Sequence, residues 1–382
     1  MASGIIDIQG TCDSRFAAVG DAFASNFADF DEVGAGVAVT VDGRLVVDLW
    51  GGHADAARTR PWRSDTIVNV YSSTKGITST AAAILAGRGQ LDYDAPVARY
   101  WPEFGRAGKD DALVRHLFTH SAGLPYLAEV TALPVVFDWP AAVRVLEAQQ
   151  PSWTPGAQSG YHAFTFGWLT GEVIRRITGM SVGAFVRDEI AAPLGADFFI
   201  GTPAVEDHRI AEVLVATRSA DQPRPGADVL PAYALDLHEQ AIASVNTAPF
   251  RRAELPAANG HSNARSLARI YGVLASNGRA GDTQLLDAAA VARLSVEAAS
   301  GYDAVLGRDV RRSLGFNLAM PGGLTGYGPN PRTFGHGGAG GSLGFADPDA
   351  RIGFGYAMNR MRLDRDGDPR WLRLIEALYS AI

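Results

Sequence analysis

The chain reads as an α+β protein in which both termini share one antiparallel sheet and the middle forms an inserted, mainly helical domain. Three observations carry that expectation. Near the start, two β-rich runs, 36–41 and 44–50, flank Asp42-Gly43, a pair that favours a tight hairpin. Near the end, runs 332–336, 342–347 and 351–359 have the texture of a meander. Between them, from 76 to about 290, helical periodicity alternates with Pro- and Gly-rich loops. The sheet domain is therefore drawn as 1–75 plus 290–382 and the helical domain as 76–289. A ligand cleft is expected at their seam.

Taken in order, residues 12–28 place Phe16, Val19, Phe23 and Phe27 at helical spacing, so the chain opens with an amphipathic helix. The hairpin follows, closed by Gly51-Gly52, and a polar loop runs to about Thr66. A helix then starts near Ser72 and continues through the alanine-rich run 77–86 to Gly87. Further helices are expected at 113–120, 139–149, 164–178, 181–190, 233–245 and 264–276. The segment 216–226 reads as a surface excursion rather than a linker. The last helix, 369–381, carries Trp371, Leu374, Ile375 and Leu378 on one face. Before it, the Asp-rich run 364–368 has its glycine misplaced for a calcium loop and reads as a solvated turn that caps the helix.

Bulk properties exclude several classes. A chain of 382 residues suits one large or two intimate domains, and 47% hydrophobic with 20% charged residues is a soluble, globular composition. The net charge of −7 argues against a nucleic-acid partner. No apolar run reaches the length of a membrane span, and residues 1–7 lack the pattern of a signal peptide. Cys12 is the single cysteine, so no intrachain disulfide forms. A cytoplasmic protein is expected. His116 and His120 stand four apart, as zinc ligands can. The intervening residues lack a metalloprotease glutamate, and a cap plus a packed ring is the better account. No metal or cofactor is expected.

The chemistry centres on Ser72-Ser73-Thr74-Lys75. Positions i and i+3 share a helix face, so the Ser72 hydroxyl and the Lys75 amine can meet as nucleophile and base. The choice of lysine is informative. Of 34 basic residues, only Lys75 and Lys109 are lysine, and arginine cannot surrender its proton. A helix N-terminus also disfavours the charged amine. Tyr161, between the turn-rich run 155–160 and the helix from Phe164, can project a phenol into a cleft as acid or base. The glycine cluster 335–341 can offer bare backbone N–H groups to an oxyanion. Two overlapping motifs fail there on context. The G-x-G-x-x-G of Gly335, Gly337 and Gly340 has too little chain after it for a nucleotide-binding half. The G-x-S-x-G around Ser342 has no histidine after its serine.

Ser72-x-x-Lys75, Tyr161-x-Ala163 and His336-Gly337-Gly338, in that order, resemble the motif set of the serine β-lactamase and penicillin-binding-protein superfamily. The closest branch in texture is the class C β-lactamase-like esterases, or family VIII carboxylesterases. The runs 117–125, 191–195 and 263–269 look familial too, and the resemblance covers roughly residues 15–380. It implies a β-lactamase-like fold and a metal-free, two-step acyl transfer. Ser72 is then the acylated nucleophile, and Lys75 and Tyr161 share the proton work, with Tyr161 as a phenolate-type base. The oxyanion hole is formed by the Ser72 and Ala339 N–H groups, while His336, Gly337 and Gly338 border substrate.

Two departures from the family pattern matter. Ala163 replaces the asparagine of Tyr-x-Asn, and His336 replaces the lysine that holds a lactam carboxylate. Both favour a small, neutral ester as substrate. Two alternatives stay open: a β-lactamase or D-alanyl-D-alanine peptidase, and a catalytically silent homologue that only binds a ligand.

Overall fold

The computed structural model describes residues 6–218, 224–320, 327–364 and 367–382. Residues 1–5 of the N-terminal segment, 219–223 of the 216–226 excursion and 365–366 of the Asp-rich run lie outside that set.

Nine strands form the main sheet. They are β1 (Ile8–Cys12), β2 (Gly34–Val41), β3 (Arg44–Gly52), β4 (Ala299–Asp303), β5 (Arg308–Arg312), β6 (Asn317–Leu318), β7 (Phe334–Gly337), β8 (Leu343–Asp347) and β9 (Ile352–Met358). Their order is β1-β3-β2-β9-β8-β7-β6-β5-β4, antiparallel throughout. The joint between chain ends is the β2–β9 ladder, which runs from Val41↔Ile352 to Ala35↔Met358. The expected terminal sheet is therefore present, and it is wider than the sequence suggested. Strands β4 to β6 were not anticipated, because residues 299–312 lack an alternating apolar pattern.

Alternation along β2 explains the layers. Val37 and Val39 join a core with Phe16 and with Val19, Phe23 and Phe27 of α1 (Ala17–Asp29), whereas Ala38 belongs to the core on the other face. That second core takes in α2 (Ser73–Gly87), α3 (Thr165–Thr178) and α4 (Ala264–Ala275). Trp371, Leu374, Ile375 and Leu378 of α5 (Pro369–Tyr379) pack with α1. Helix α4 falls inside the stretch 76–289 assigned to the helical domain, yet it lies against β2, β8 and β9. The boundary drawn from sequence thus separates a helix from the sheet it covers. Tyr271 of α4 fixes the spacing between layers. A Cβ on Gly76 of α2 would sit 2.1 Å from its hydroxyl, and one on Gly344 of β8 would sit 2.2 Å from its ring. No described helix is long and apolar enough to cross a membrane.

The run before α5 caps it as expected, with Asp368 Oδ1 accepting from the Arg370 N–H at 2.9 Å. Asp368 itself is buried, whereas Asp364 at the other end of the run is exposed. Arg370 donates to Asp368, to Glu32 Oε1 at 3.0 Å, to the Arg360 carbonyl at 2.9 Å and to the Gly340 carbonyl at 2.7 Å. The Tyr356 hydroxyl also donates to Glu32. One buried guanidinium therefore ties the end of α1, strand β9, helix α5 and the glycine loop together.

Removing one member of a buried charged set strands the others. Arg370→Met should cost about 3–5 kcal/mol of unfolding free energy in urea titrations. A loss below about 1 kcal/mol would show that the carboxylates find other partners.

Candidate active site

Ser72 is the N-cap of α2, and the residue before it is held in an unusual conformation. Tyr71 is buried at φ +41°, with its N–H donating to Asn69 Oδ1 at 3.1 Å. Left-handed backbone at a bulky residue is strained and persists where the surroundings over-determine it. Here the Val70 N–H is tied to the Gly260 carbonyl at 2.8 Å, and the Thr74 hydroxyl donates back to the Tyr71 carbonyl. The chain reverses sharply into the helix, leaving Ser72 partly exposed while Ser73, Thr74 and Lys75 are buried.

Lys75 Nζ lies 2.7 Å from the Ala163 carbonyl, 2.9 Å from the Ala257 carbonyl and 3.2 Å from Ser72 Oγ. No carboxylate pairs with it among the described residues. Burial, aided by the positive Arg312, holds the amine well below the ordinary lysine range. A neutral amine has two N–H donors and one lone pair. The two carbonyls take the donors, so the lone pair is left for the Ser72 hydroxyl.

Tyr161 sits on the loop between the run 155–160 and α3. Its N–H donates to Asp303 Oδ1 at 3.0 Å. Its ring lies 4.8 Å from Lys75 Nζ, 4.7 Å from the His120 ring and 6.4 Å from the His336 ring. The phenol is also a hydrogen-bond partner of Ser72, and burial pushes its ionisation well above the ordinary tyrosine value. The surroundings of Tyr161 favour the protonated phenol, while those of Lys75 favour the neutral amine.

His336 on β7 is buried. Its Nδ1 lies 2.7 Å from the Gly337 carbonyl, which fixes Nδ1–H as donor and leaves Nε2 as acceptor. Burial, aided by the positive Arg312, holds its pKa down to about 3, so the ring is neutral. Beyond it, Gly338 packs on the segment before the nucleophile. A Cβ there would lie 2.2 Å from the Val70 carbonyl and 2.2 Å from Ser342 Oγ. Ser342 Oγ donates to the Val70 carbonyl at 2.7 Å and lies 3.0 Å from Ser73 Oγ. The glycine loop is thereby docked beside Ser72. The Ser72 and Ala339 N–H groups flank this contact and donate to no acceptor among the described residues.

The structure thus gathers Ser72, Lys75, Tyr161, His336, Gly337, Gly338 and Ala339 at one place. His116 and His120 behave as non-metal histidines. His116 Nδ1 accepts from the Leu113 N–H at 3.2 Å at the start of its helix. His120 lies past that helix at φ +61°, its ring packed on Tyr161 and its Nδ1 accepting from the His162 N–H at 3.0 Å. Sequence reading missed Asp303, Arg312 and Ser342 as site residues. Ser342 was weighed only as a failed elbow serine. Asp303 and Arg312 lie at opposite ends of the β4–β5 hairpin, which carries no strand pattern.

The chain is similar to known proteins over most of its length. The Beta-lactamase family profile matches residues 23–379. An esterase/β-lactamase of Mycobacterium tuberculosis, LipL, is 37% identical over 367 residues, which is 93% of this chain and 83% of that protein. A solved family VIII carboxylesterase is 46% identical with a TM-score of 0.91, covering 98% of this chain and 100% of the other. A penicillin-binding protein homologue from Caulobacter crescentus is 38% identical with a TM-score of 0.90, at 98% and 100% coverage.

If the neutral amine activates Ser72, a permanent cation in its place should abolish the effect. Lys75→Arg should slow labelling of Ser72 by a fluorophosphonate, followed by intact mass, by roughly 10²–10⁴-fold. A rate within a few-fold of the parent would remove Lys75 from the proton path.

Proposed function

The chain belongs to the β-lactamase family, and from that premise we propose that it is a serine hydrolase of short-chain carboxylic esters working through an acyl-enzyme on Ser72. The observation that carries the reading is the Lys75 amine, with its donors on two carbonyls and its lone pair left for Ser72 Oγ. Esterases among the relatives, LipL and the solved family VIII carboxylesterase, support the same reaction class.

The steps follow from the proton inventory. As Ser72 Oγ bonds to the ester carbonyl carbon, its proton passes to Lys75 Nζ. The carbonyl oxygen becomes an oxyanion held by the Ser72 and Ala339 N–H groups. Collapse breaks the bond to the alcohol oxygen, which leaves with a proton from Tyr161, and Lys75 restores the phenol. Water then attacks the acyl-enzyme by the same route in reverse, releasing the acid and regenerating Ser72. No net proton is consumed in acylation, so one shared proton between Lys75 and Tyr161 suffices.

The surroundings bear on substrate class. A neutral His336 offers an acceptor where a lactamase keeps a cation, so a substrate carboxylate has no counter-charge from it. Ala163 gives its carbonyl to Lys75 and has no side-chain amide to offer a lactam. A small, neutral ester is the better fit. The single Cys12 and the net charge of −7 suit a cytoplasmic enzyme with a diffusible small-molecule substrate and no nucleic-acid or membrane partner.

Ser72→Ala and Tyr161→Phe should each lower kcat on a short-chain p-nitrophenyl ester by at least about 10². The neutral form of Lys75 is the active one, so the rate is retained above its pKa and lost as pH falls through it. Near-parental turnover by Ser72→Ala would sink the proposal. Nitrocefin hydrolysis far faster than ester hydrolysis would replace it with the β-lactamase reading, and failure of Ser72 to label at all would indicate a silent binder.

A further inference from the structure

Beneath Tyr161 lies an ion pair that the acyl-transfer steps do not use. Arg312 Nη1 is 2.8 Å from Asp303 Oδ2, and both side chains are almost completely buried. Such pairs endure when each partner's hydrogen-bonding capacity is filled. Here only one partner is filled. Asp303 Oδ1 accepts from the backbone N–H groups of Tyr161 at 3.0 Å, Val305 at 3.0 Å and Leu306 at 2.8 Å. Arg312 spends Nη1 on Asp303 and on Ser159 Oγ at 2.6 Å, while its Nε and Nη2 have no partner among the described residues. The guanidinium carbon lies 5.8 Å from the centre of the Tyr161 ring.

We infer that Arg312 and Asp303 are positioning residues of the acyl-transfer site: Asp303 anchors the Tyr161 peptide, and Arg312 sets a permanent positive charge against the same Tyr161 ring that Lys75 contacts. The inference rests on the ester-hydrolase reading for its chemistry. It follows from Coulomb's law at short range in a buried site, where a neighbouring cation opposes a second one.

The other groups around the pair do not compete for that role. His120 is held low by burial, His162 is held at about 4 and His336 at about 3, so all three stay neutral near neutral pH. Burial likewise keeps the Tyr327 phenol protonated. Asp303 is held below the ordinary carboxyl range by Arg312 and by its backbone donors, against the opposing effect of its burial. The fixed charges at the base of the site are therefore Arg312 and Asp303, and the titrating unit is Lys75 with Tyr161.

The pair makes two predictions of opposite sign. Removing the cation in Arg312→Met lets Lys75 protonate more easily, so the acid limb of the pH–rate profile should move up by about one pH unit. Removing the anion in Asp303→Asn keeps an oxygen for the Tyr161 N–H but leaves Arg312 uncompensated, so the limb should move down. Arg312→Lys, which preserves the charge, should stay close to the parent. The limb is read from the rate of Ser72 phosphonylation by a fluorophosphonate, which needs no knowledge of the natural ester, and folding is checked by thermal melting. A labelled parent whose limb is unmoved in folded Asp303→Asn overturns this inference alone, even if Arg312→Met fails to fold. Limbs that move in the same direction in both variants overturn it as well. A parent that does not label overturns the hydrolase reading and this inference with it.

Discussion

Everything at the candidate site depends on keeping one amine uncharged inside the protein. An ammonium buried without a carboxylate is costly, and the amine relieves that cost by giving up its proton. The surroundings of Lys75 enforce this outcome. Two backbone carbonyls, from Ala163 and Ala257, take its two donors, and the positive Arg312 adds to the effect of burial. These carbonyls come from different parts of the chain, the Tyr161 loop and the segment leading into α4. Both segments must be in place before Ser72 acquires a base, so the catalytic state is a consequence of tertiary assembly.

The sheet meets the opposite need, which is to hold backbone N–H groups free. Joining β2 to β9 brings the C-terminal strands against the N-terminal hairpin, and β7 and β8 then carry the glycine loop up to Val70. Ser342 ties that loop to the Val70 carbonyl from one side. Arg370 ties the Gly340 carbonyl from the other and is itself gripped by Glu32 and Asp368. Between these two anchors the Ala339 N–H donates to no acceptor among the described residues. The buried charge network at the far end of the loop thus serves the same site as the lysine, although it lies outside the cleft.

Legibility in the sequence followed the strength of local signals. The hairpin around Asp42-Gly43, the helices with strong periodicity and the motif residues Ser72, Lys75, Tyr161 and His336 could all be read, because a turn pair, an apolar stripe or a short spacing marks each. Strands β4 and β5 could not. Their side chains are chosen for an ion pair under Tyr161 and for the sheet edge, so the alternation that marks a strand is absent. The assignment of α4 to the helical domain failed for a related reason: sequence order says nothing about which layer a helix covers. The scarcity of lysine proved less discriminating than it first looked. Lys109 is buried too and donates to the Glu147 and Gln149 carbonyls at 3.1 and 2.5 Å, with its pKa lowered to about 8, and no serine beside it. What sets Lys75 apart is the third neighbour, Ser72.

The same logic bears on the proposed preference for esters over lactams. A lactam of the penicillin type brings a carboxylate, and binding it requires a cation that is free to face the substrate. The cations near this cleft are committed elsewhere: Lys75 is neutral, and Arg312 lies below the Tyr161 ring in contact with Asp303. His336 cannot substitute, because its Nδ1–H is given to Gly337 and its ring stays neutral. Adding a cation at that position would also act on Lys75, raising the cost of protonating it during acylation. Charge selectivity and base strength are therefore coupled in this site. On the proposed mechanism, the neutral histidine leaves Lys75 able to accept the Ser72 proton in the presence of Arg312, and the proposed substrate is accordingly uncharged.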